Sequence, residues 1–132
     1  MKHSAWMVGL TLTSGALLGS LGAAPAALAH HSFAMFDRSQ TRTIEGTVRE
    51  YEFINPHGWL RVMVADAQGN QSEWSLELGG VGQQQRAGWS TSVVHPGDRV
   101  MVRLHPLRDG SYGGQLISVT LPDGKVLGRS FQ

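Results

Sequence analysis

Leu78-Gly79-Gly80-Val81-Gly82-Gln83-Gln84-Gln85-Arg86-Ala87-Gly88 is the stretch of this chain that reads as neither strand nor simple turn, and it decides the fold. Two glycines end an apolar run, and after Val81 the segment holds no β-branched residue, only Gly, Gln, Arg and Ala. A short helix over residues 81–87, closed by Gly88, is the reading. On both sides of it the pattern is alternation with a period of two. Upstream lie residues 43–53, with Ile44, Val48 and Tyr51; residues 59–64, where Leu60, Val62 and Val64 alternate with Trp59, Arg61 and Met63; and residues 72–78, with Trp74, Leu76 and Leu78 on one face. Asn55-Pro56-His57-Gly58 and Asp66-Ala67-Gln68-Gly69-Asn70 are the turns between them, and Gly46 marks a bend or bulge inside the first strand. Downstream, His95-Pro96-Gly97-Asp98 launches a strand through Val100, Val102 and Leu104. A loop from His105 to Gly110 follows, then a fifth strand over residues 115–121 and a tight turn, Pro122-Asp123-Gly124-Lys125, into Val126 and Leu127. Three strands, a short helix and two strands predict an all-β, OB-fold-like Greek-key barrel of about five strands, with the helix between strands three and four. Its ligand surface is then flanked by the loops joining strands one to two and four to five.

The amino terminus reads differently. Lys2 and His3 precede an uncharged stretch over residues 5–21, and Ala27-Leu28-Ala29 supplies the small-residue pattern of a cleavage site, so residues 1–29 are predicted to be a signal peptide cut before His30. Thr11, Thr13, Ser14, Ser20 and Gly22 interrupt the apolar run, where a retained span needs about 20 predominantly apolar residues. The chain has no cysteine, which rules out a lipid-anchored form and disulfide support. The expected organisation is an amino-terminal arm over residues 30–42 and a barrel over residues 43–132, exported to the periplasm or secreted. Cleavage leaves 103 residues, enough for one domain, with ten Lys plus Arg against ten Asp plus Glu. The nine arginines are spread singly beside acids, which argues against a nucleic-acid partner, since that binding depends on clustered cations.

Five histidines remain after cleavage, in predicted loops or at the terminus. His57 lies in the loop between strands one and two, and His105 opens the loop between strands four and five. An OB topology brings both toward one edge of the ligand surface. Cleavage also frees the α-amine of His30, whose pKa of about 8 makes it a usable ligand once a metal competes with the proton. Amine and imidazole of His30 would chelate together, with an imidazole from His57 or His105 opposite. Alternatively the amine, the deprotonated His30-His31 amide and the His31 imidazole take three positions and an outside imidazole the fourth. Both sets are N-donor and roughly planar, which favours copper over a zinc site built on thiolates. His30, His31, His57 and His105 are the candidate metal ligands, and a histidine ahead of proline also serves simply as a turn residue. His95, beside the Pro96-Gly97-Asp98 turn, is read as structural.

Asn55, Trp59 and Arg108 are the candidate ligand-binding residues should the OB face hold a small molecule, a glycan or a protein partner without metal. Phe33, Met35 and Phe36 are read as pinning the arm onto the barrel. No pair of carboxylates stands in a glycosidase or protease motif, no G-x-S-x-G occurs, and Gly79-Gly80-Val81-Gly82 lacks the Lys-Ser/Thr of a phosphate loop, so no enzyme is expected. His30-His31-Ser32-Phe33-Ala34-Met35-Phe36-Asp37, Glu45-Gly46-Thr47-Val48, Asn55-Pro56-His57, Pro96-Gly97-Asp98 and His105-Pro106-Leu107-Arg108-Asp109-Gly110, in that order, resemble the small exported bacterial proteins grouped as domain of unknown function 6152. The resemblance implies a periplasmic or secreted OB-like domain and brings no chemistry of its own. Amino-terminal sequencing of protein recovered from the periplasm or medium is expected to start at His30; recovery of an intact Met1 would overturn the export reading.

Overall fold

The computed structural model describes residues 31–128, with the side chains of residues 31 and 32 outside that description, so the predicted signal peptide and His30 lie outside the described residues. In chain order the elements are α1 (His31–Ala34), β1 (Arg42–Glu52), β2 (Trp59–Ala65), β3 (Gln71–Glu77), α2 (Val81–Arg86), β4 (Arg99–Pro106), β5 (Gly113–Thr120) and β6 (Val126–Leu127). The strands form one sheet in the order β3-β2-β1-β4-β5-β6, and a parallel pairing of β3 with β5 closes it. Strand order around the closed barrel is therefore 1-2-3-5-4-1, with a short helix between strands three and four, which is the OB fold.

Alternation explains what faces inward. Ile44 and Val48 of β1, Leu60 and Val62 of β2, Trp74 and Leu76 of β3, Val100, Val102 and Leu104 of β4, and Leu116 and Val119 of β5 form one buried cluster. β1 is long enough to pair with β4 through Arg42 to Thr47 and with β2 from Thr47 onward, which is how a single strand carries the sheet round the bend. The register slips between Val48 and Glu50 and again between Arg103 and Leu104, leaving Arg49 on β1 and Ile117 on β5 as the extra residues. Such bulges add the local twist that a small barrel needs to close.

Several sequence expectations move by a few residues. The bulge of β1 is at Arg49, and Gly46 pairs regularly with Val100. Gly46 is there for close approach: a Cβ at that position would run into the Met63 carbonyl and the Val62 side chain. β4 continues through His105 and Pro106, so His105 belongs to the strand and not to the loop after it. β5 starts at Gly113, and Val126–Leu127 adds a sixth strand on its outer side. Among the described residues no helix is long and apolar enough to cross a membrane.

α2 and the turn behind it fill the barrel end beside Tyr51. Gly88 takes φ +86°, as a helix-ending glycine does, and turns Trp89 inward. The Trp89 ring stands 5.5 Å from that of Tyr51, and its indole N–H donates to the Gly128 carbonyl at 3.0 Å. Gln84 points into the same region and is fully buried. Its Nε2 donates to the Gly79 carbonyl at 2.7 Å, and its Oε1 accepts from the Tyr51 hydroxyl at 2.6 Å, so both ends of the amide are satisfied.

Burial raises the Tyr51 phenol above its ordinary pKa. The fold favours the neutral phenol, so this contribution is present below the unfolded value of about 10 and is lost as pH rises through the raised folded one. Tyr51→Phe is expected to flatten the alkaline fall in melting temperature above about pH 9. At neutral pH it is expected to cost about 1–3 kcal/mol, because the buried Gln84 Oε1 loses its donor. Thermal melts of both proteins from neutral to alkaline pH check the two effects together.

Candidate functional site: a polar row along the barrel seam

The loop between β1 and β2 is shaped by its contacts with the hinge between β3 and α2. Gly58 donates to the Gly79 carbonyl at 3.1 Å and accepts from Leu78 N–H at 2.9 Å, and a Cβ on Gly58 would collide with the Gln84 amide. Asn55 Oδ1 accepts from Val81 N–H at 2.9 Å, satisfying one of the first amides of α2. The Asn55-Pro56 peptide is cis. Asn55, a candidate ligand contact by sequence, is thus a scaffold residue that holds the loop to the helix. What the loop presents is His57, whose Nδ1 stands 3.0 Å from Glu77 Oε1, at ion-pair distance though without hydrogen-bond alignment.

Glu77 begins the site proper. In the β2–β3 ladder it pairs with Trp59, in the parallel β3–β5 ladder with Gln115, and in the β4–β5 ladder Gln115 pairs with His105. Register partners present their side chains on the same face, so Trp59, Glu77, Gln115 and His105 form a row across four strands on the outside of the barrel. An outer face ordinarily meets water, but here Glu77 is 4% exposed, Gln115 0% and His105 7%. Burial pushes the Glu77 carboxyl above its usual range, against the opposite pull of a His57 imidazolium. Among the described residues Gln115 has no hydrogen-bond partner at either Nε2 or Oε1.

The arm covers the His105 end of the row. Beyond Arg42, where β1 begins, β4 has no neighbour on that side, and the arm takes the place. Asp37 N–H donates to the Pro106 carbonyl at 2.8 Å, Phe36 bridges to Leu107, and Arg108 N–H donates to the Met35 carbonyl at 2.9 Å. A proline is tolerated here because β1 ends before its missing N–H would be needed. Phe36 is buried, at 2% exposure, while Phe33 and Met35 remain exposed. The Gln40 carbonyl lies 2.7 Å from His105 Nδ1. A carbonyl only accepts, so Nδ1 carries the proton and the neutral ring has its lone pair at Nε2.

Arg108 also serves the arm: its Nε donates to the Ala34 carbonyl at 3.1 Å and its Nη1 lies 3.9 Å from Asp37 Oδ1. Of the candidate residues, His57, Trp59 and His105 therefore fall on or beside one row, whereas Asn55 and Arg108 bind other parts of the chain. His30 and the side chain of His31 lie outside the described residues. Among the described residues no group of three His, Cys, Asp or Glu side chains is arranged to hold a metal ion. Trp74 packs inward beneath Tyr112, with ring centroids 5.4 Å apart, so of the two strand tryptophans it is Trp59 that faces out. His95 stays in its turn, its N–H donating to Asp98 Oδ2 at 2.9 Å. Glu77, Gln115 and Gln40 were not singled out in the sequence. Gly113-Gly114 ahead of Gln115 is the signal that points to them, since a Cβ on either glycine would strike the backbone of a neighbouring strand, at the Ser75 or His105 carbonyl.

The family described as "Family of unknown function (DUF6152)" matches residues 18–116. No curated protein matches the chain. Among solved structures, that of the mitochondrial single-stranded DNA binding protein Rim1 from S. cerevisiae aligns with a TM-score of 0.47 and 15% identity, over 63% of this chain and 94% of that one.

Arg108→Ala removes the Ala34 contact and the Asp37 ion pair while leaving the backbone bonds of the arm in place. Amide hydrogen exchange over residues 33–40 is expected to quicken, with overall stability falling by no more than about 1 kcal/mol because the side chain is exposed.

Proposed function

The chain belongs to the DUF6152 family, whose description carries no activity, and we propose that this member is an exported metal-binding protein. It holds copper between the His30-His31 terminus and the imidazoles of His57 and His105, and carries or sequesters the ion. The observation that carries the reading is the way both described imidazoles are held. His105 Nδ1 is held 2.7 Å from the Gln40 carbonyl, and His57 Nδ1 lies at ion-pair distance, 3.0 Å, from the Glu77 carboxylate. A metal-bound imidazole characteristically has its second nitrogen fixed by a carboxylate or carbonyl, which sets the tautomer and makes Nε2 the ligating atom.

The arm supports the same reading. Arg108 holds the Ala34 carbonyl, and α1 starts three residues earlier at His31. At about 1.5 Å of rise per helical residue, the His31 backbone is within about 5 Å along the helix axis of that anchor. Charge supports a partner other than nucleic acid: Arg61 is paired with Glu50 and Glu52, and Arg49 with Glu73, so the cations on the outer face of β1 and β2 are already matched.

A second reading has the row hold a small polar organic ligand, with Trp59, the register neighbour of Glu77, as the stacking surface. Calorimetric titration of Cu(II) into protein purified from the periplasm after native processing separates the two. Tight binding is expected, lost when one residue is added ahead of His30 and weakened about 10- to 100-fold by Glu77→Gln, which removes the carboxylate behind His57. Natively processed protein that takes up no copper would leave only the organic-ligand reading standing.

A further inference from the structure

Arg42 stands where the alternation of β1 calls for an apolar side chain. Its register partner on β4 is Leu104, which faces the core, and Ile44 and Val48, of the same phase as Arg42, are buried. Register partners share a face, so Arg42 lies on the inner face of the sheet, at the barrel end where β1 begins. Its guanidinium carbon is 5.5 Å from the centroid of the Trp74 ring, which packs in turn against the exposed Tyr112. Stacking uses the face of a guanidinium and leaves its five in-plane N–H donors to find acceptors. Arg49 and Arg61 have theirs, Glu73 for the first and Glu50 and Glu52 for the second. Among the described residues Arg42 has neither a carboxylate nor a hydrogen-bond acceptor. A methionine would cover Trp74 without bringing a charge to the edge of the core.

The surroundings of Arg42 say what that charge is for. With Asp37, Gln40, Pro106, Arg108 and Gly110 it lines a cavity of about 250 Å³ between the arm and the loop joining β4 to β5. Arg108 brings a second guanidinium. Its Nε and Nη1 are turned to the Ala34 carbonyl and to Asp37, and its Nη2 has no acceptor among the described residues. Asp37 is the carboxylate of the lining, and it already accepts from the Ser39 N–H, the Ser39 hydroxyl and Gln40 Nε2. Two guanidiniums against one carboxylate leave the cavity positive. Its volume falls below the range of about 300–1,000 Å³ typical of drug-sized ligands, which suits a small anion.

We propose that this cavity binds a small oxyanion, a carboxylate or a phosphate group, with the Arg42 guanidinium as its principal contact and Arg108 Nη2 as its second. The planar fork of an arginine matches two oxygens of either group with two parallel N–H donors. The stack on Trp74 holds that fork in place before the ligand arrives, which lowers the ordering cost of binding. The site takes no ligand from the histidines and so does not depend on the copper reading.

The test titrates metal-free protein with succinate and, separately, with inorganic phosphate, at constant ionic strength, read by calorimetry and by amide NMR shifts. Saturable binding of at least one is expected, with shifts concentrated over residues 37–42 and 106–112, and the probe that binds identifies the oxyanion. Arg42→Met keeps an unbranched chain over Trp74 and removes the fork, and is expected to weaken binding about 10-fold or more. Arg42→Lys keeps the charge without the fork and is expected to fall between it and wild type. Arg86→Met removes an exposed arginine of α2, beside the other end of the barrel, and is expected to leave binding unchanged. Should Arg42→Met fail to fold, the Lys variant decides through affinity alone. Three results would overturn the proposal: neither probe saturates, the Arg42 variants bind as tightly as wild type, or Arg86→Met weakens binding as much as they do, which would mean general attraction to a cation.

Discussion

Closure of the barrel turns on three residue pairs between strands that run parallel: Ser75 with Gly113, Leu76 with Gly114, and Glu77 with Gln115. The pairing is short, and it needs unusually close strands. A Cβ on Gly113 would strike the Ser75 carbonyl and the Leu107 side chain, and one on Gly114 would strike the His105 carbonyl and Leu104 Cδ1. Two consecutive glycines give up the packing a side chain would offer, and that is tolerated in a strand where another backbone comes this near. Without the seam the sheet would be open at β3 and at the Gly113–Gln115 stretch of β5, which β6 does not cover.

The same three pairs fix the outer surface. Because side chains alternate, setting Leu76 inward against Gly114 obliges Glu77 and Gln115 to point outward together, and the β4–β5 register then adds His105. Nothing in the local chemistry of Glu77 or Gln115 calls for them to meet; closure brings them together. The loop after β1 is folded onto the same seam through Gly58 and Asn55, which sets His57 over Glu77. The arm is folded onto it from the other side through Pro106 and Arg108. The segments that flank β1 on either side therefore converge on one row because both are tied to strands that the seam holds.

This geometry also explains which parts were readable in advance. The strands were legible because a barrel wall buried on one face imposes a period of two, and Val100, Val102 and Leu104 show it plainly. α2 was legible because the Gly79-Gly80 break and the Gln-rich run contradict a strand. The bulge was misplaced, since Gly46 signals close approach as readily as a bulge, and the true slip at Arg49 carries no mark of composition. Topology alone places His57 in the β1–β2 loop, while His105, expected to open the next loop, lies inside β4. Glu77 could not be recognised, because in Trp74-Ser75-Leu76-Glu77-Leu78 it occupies the position that reads as solvent-facing, and its burial comes from a strand nearly forty residues away. Asn55 and Arg108, candidate ligand contacts by sequence, bond the Val81 N–H and the Ala34 carbonyl, as polar groups of a loop folded back on its scaffold do.

The arm links the seam to the terminus by simple reach. Phe36 is buried and bridges to Leu107, and it stands only six positions along the chain from the predicted start of the mature chain at His30. Even a fully extended segment of that length spans about 20 Å, and α1 shortens it further. Under the proposed cut before His30, the amine it would free lies within that reach of Phe36 by covalent connection alone, whereas in the uncut chain the same nitrogen is an amide, which has no lone pair to offer. Copper binding at the terminus would therefore ask two separate things of the chain: the arm, anchored through Phe36, limits how far the terminus can stray, and cleavage would decide whether the nitrogen there is an amine.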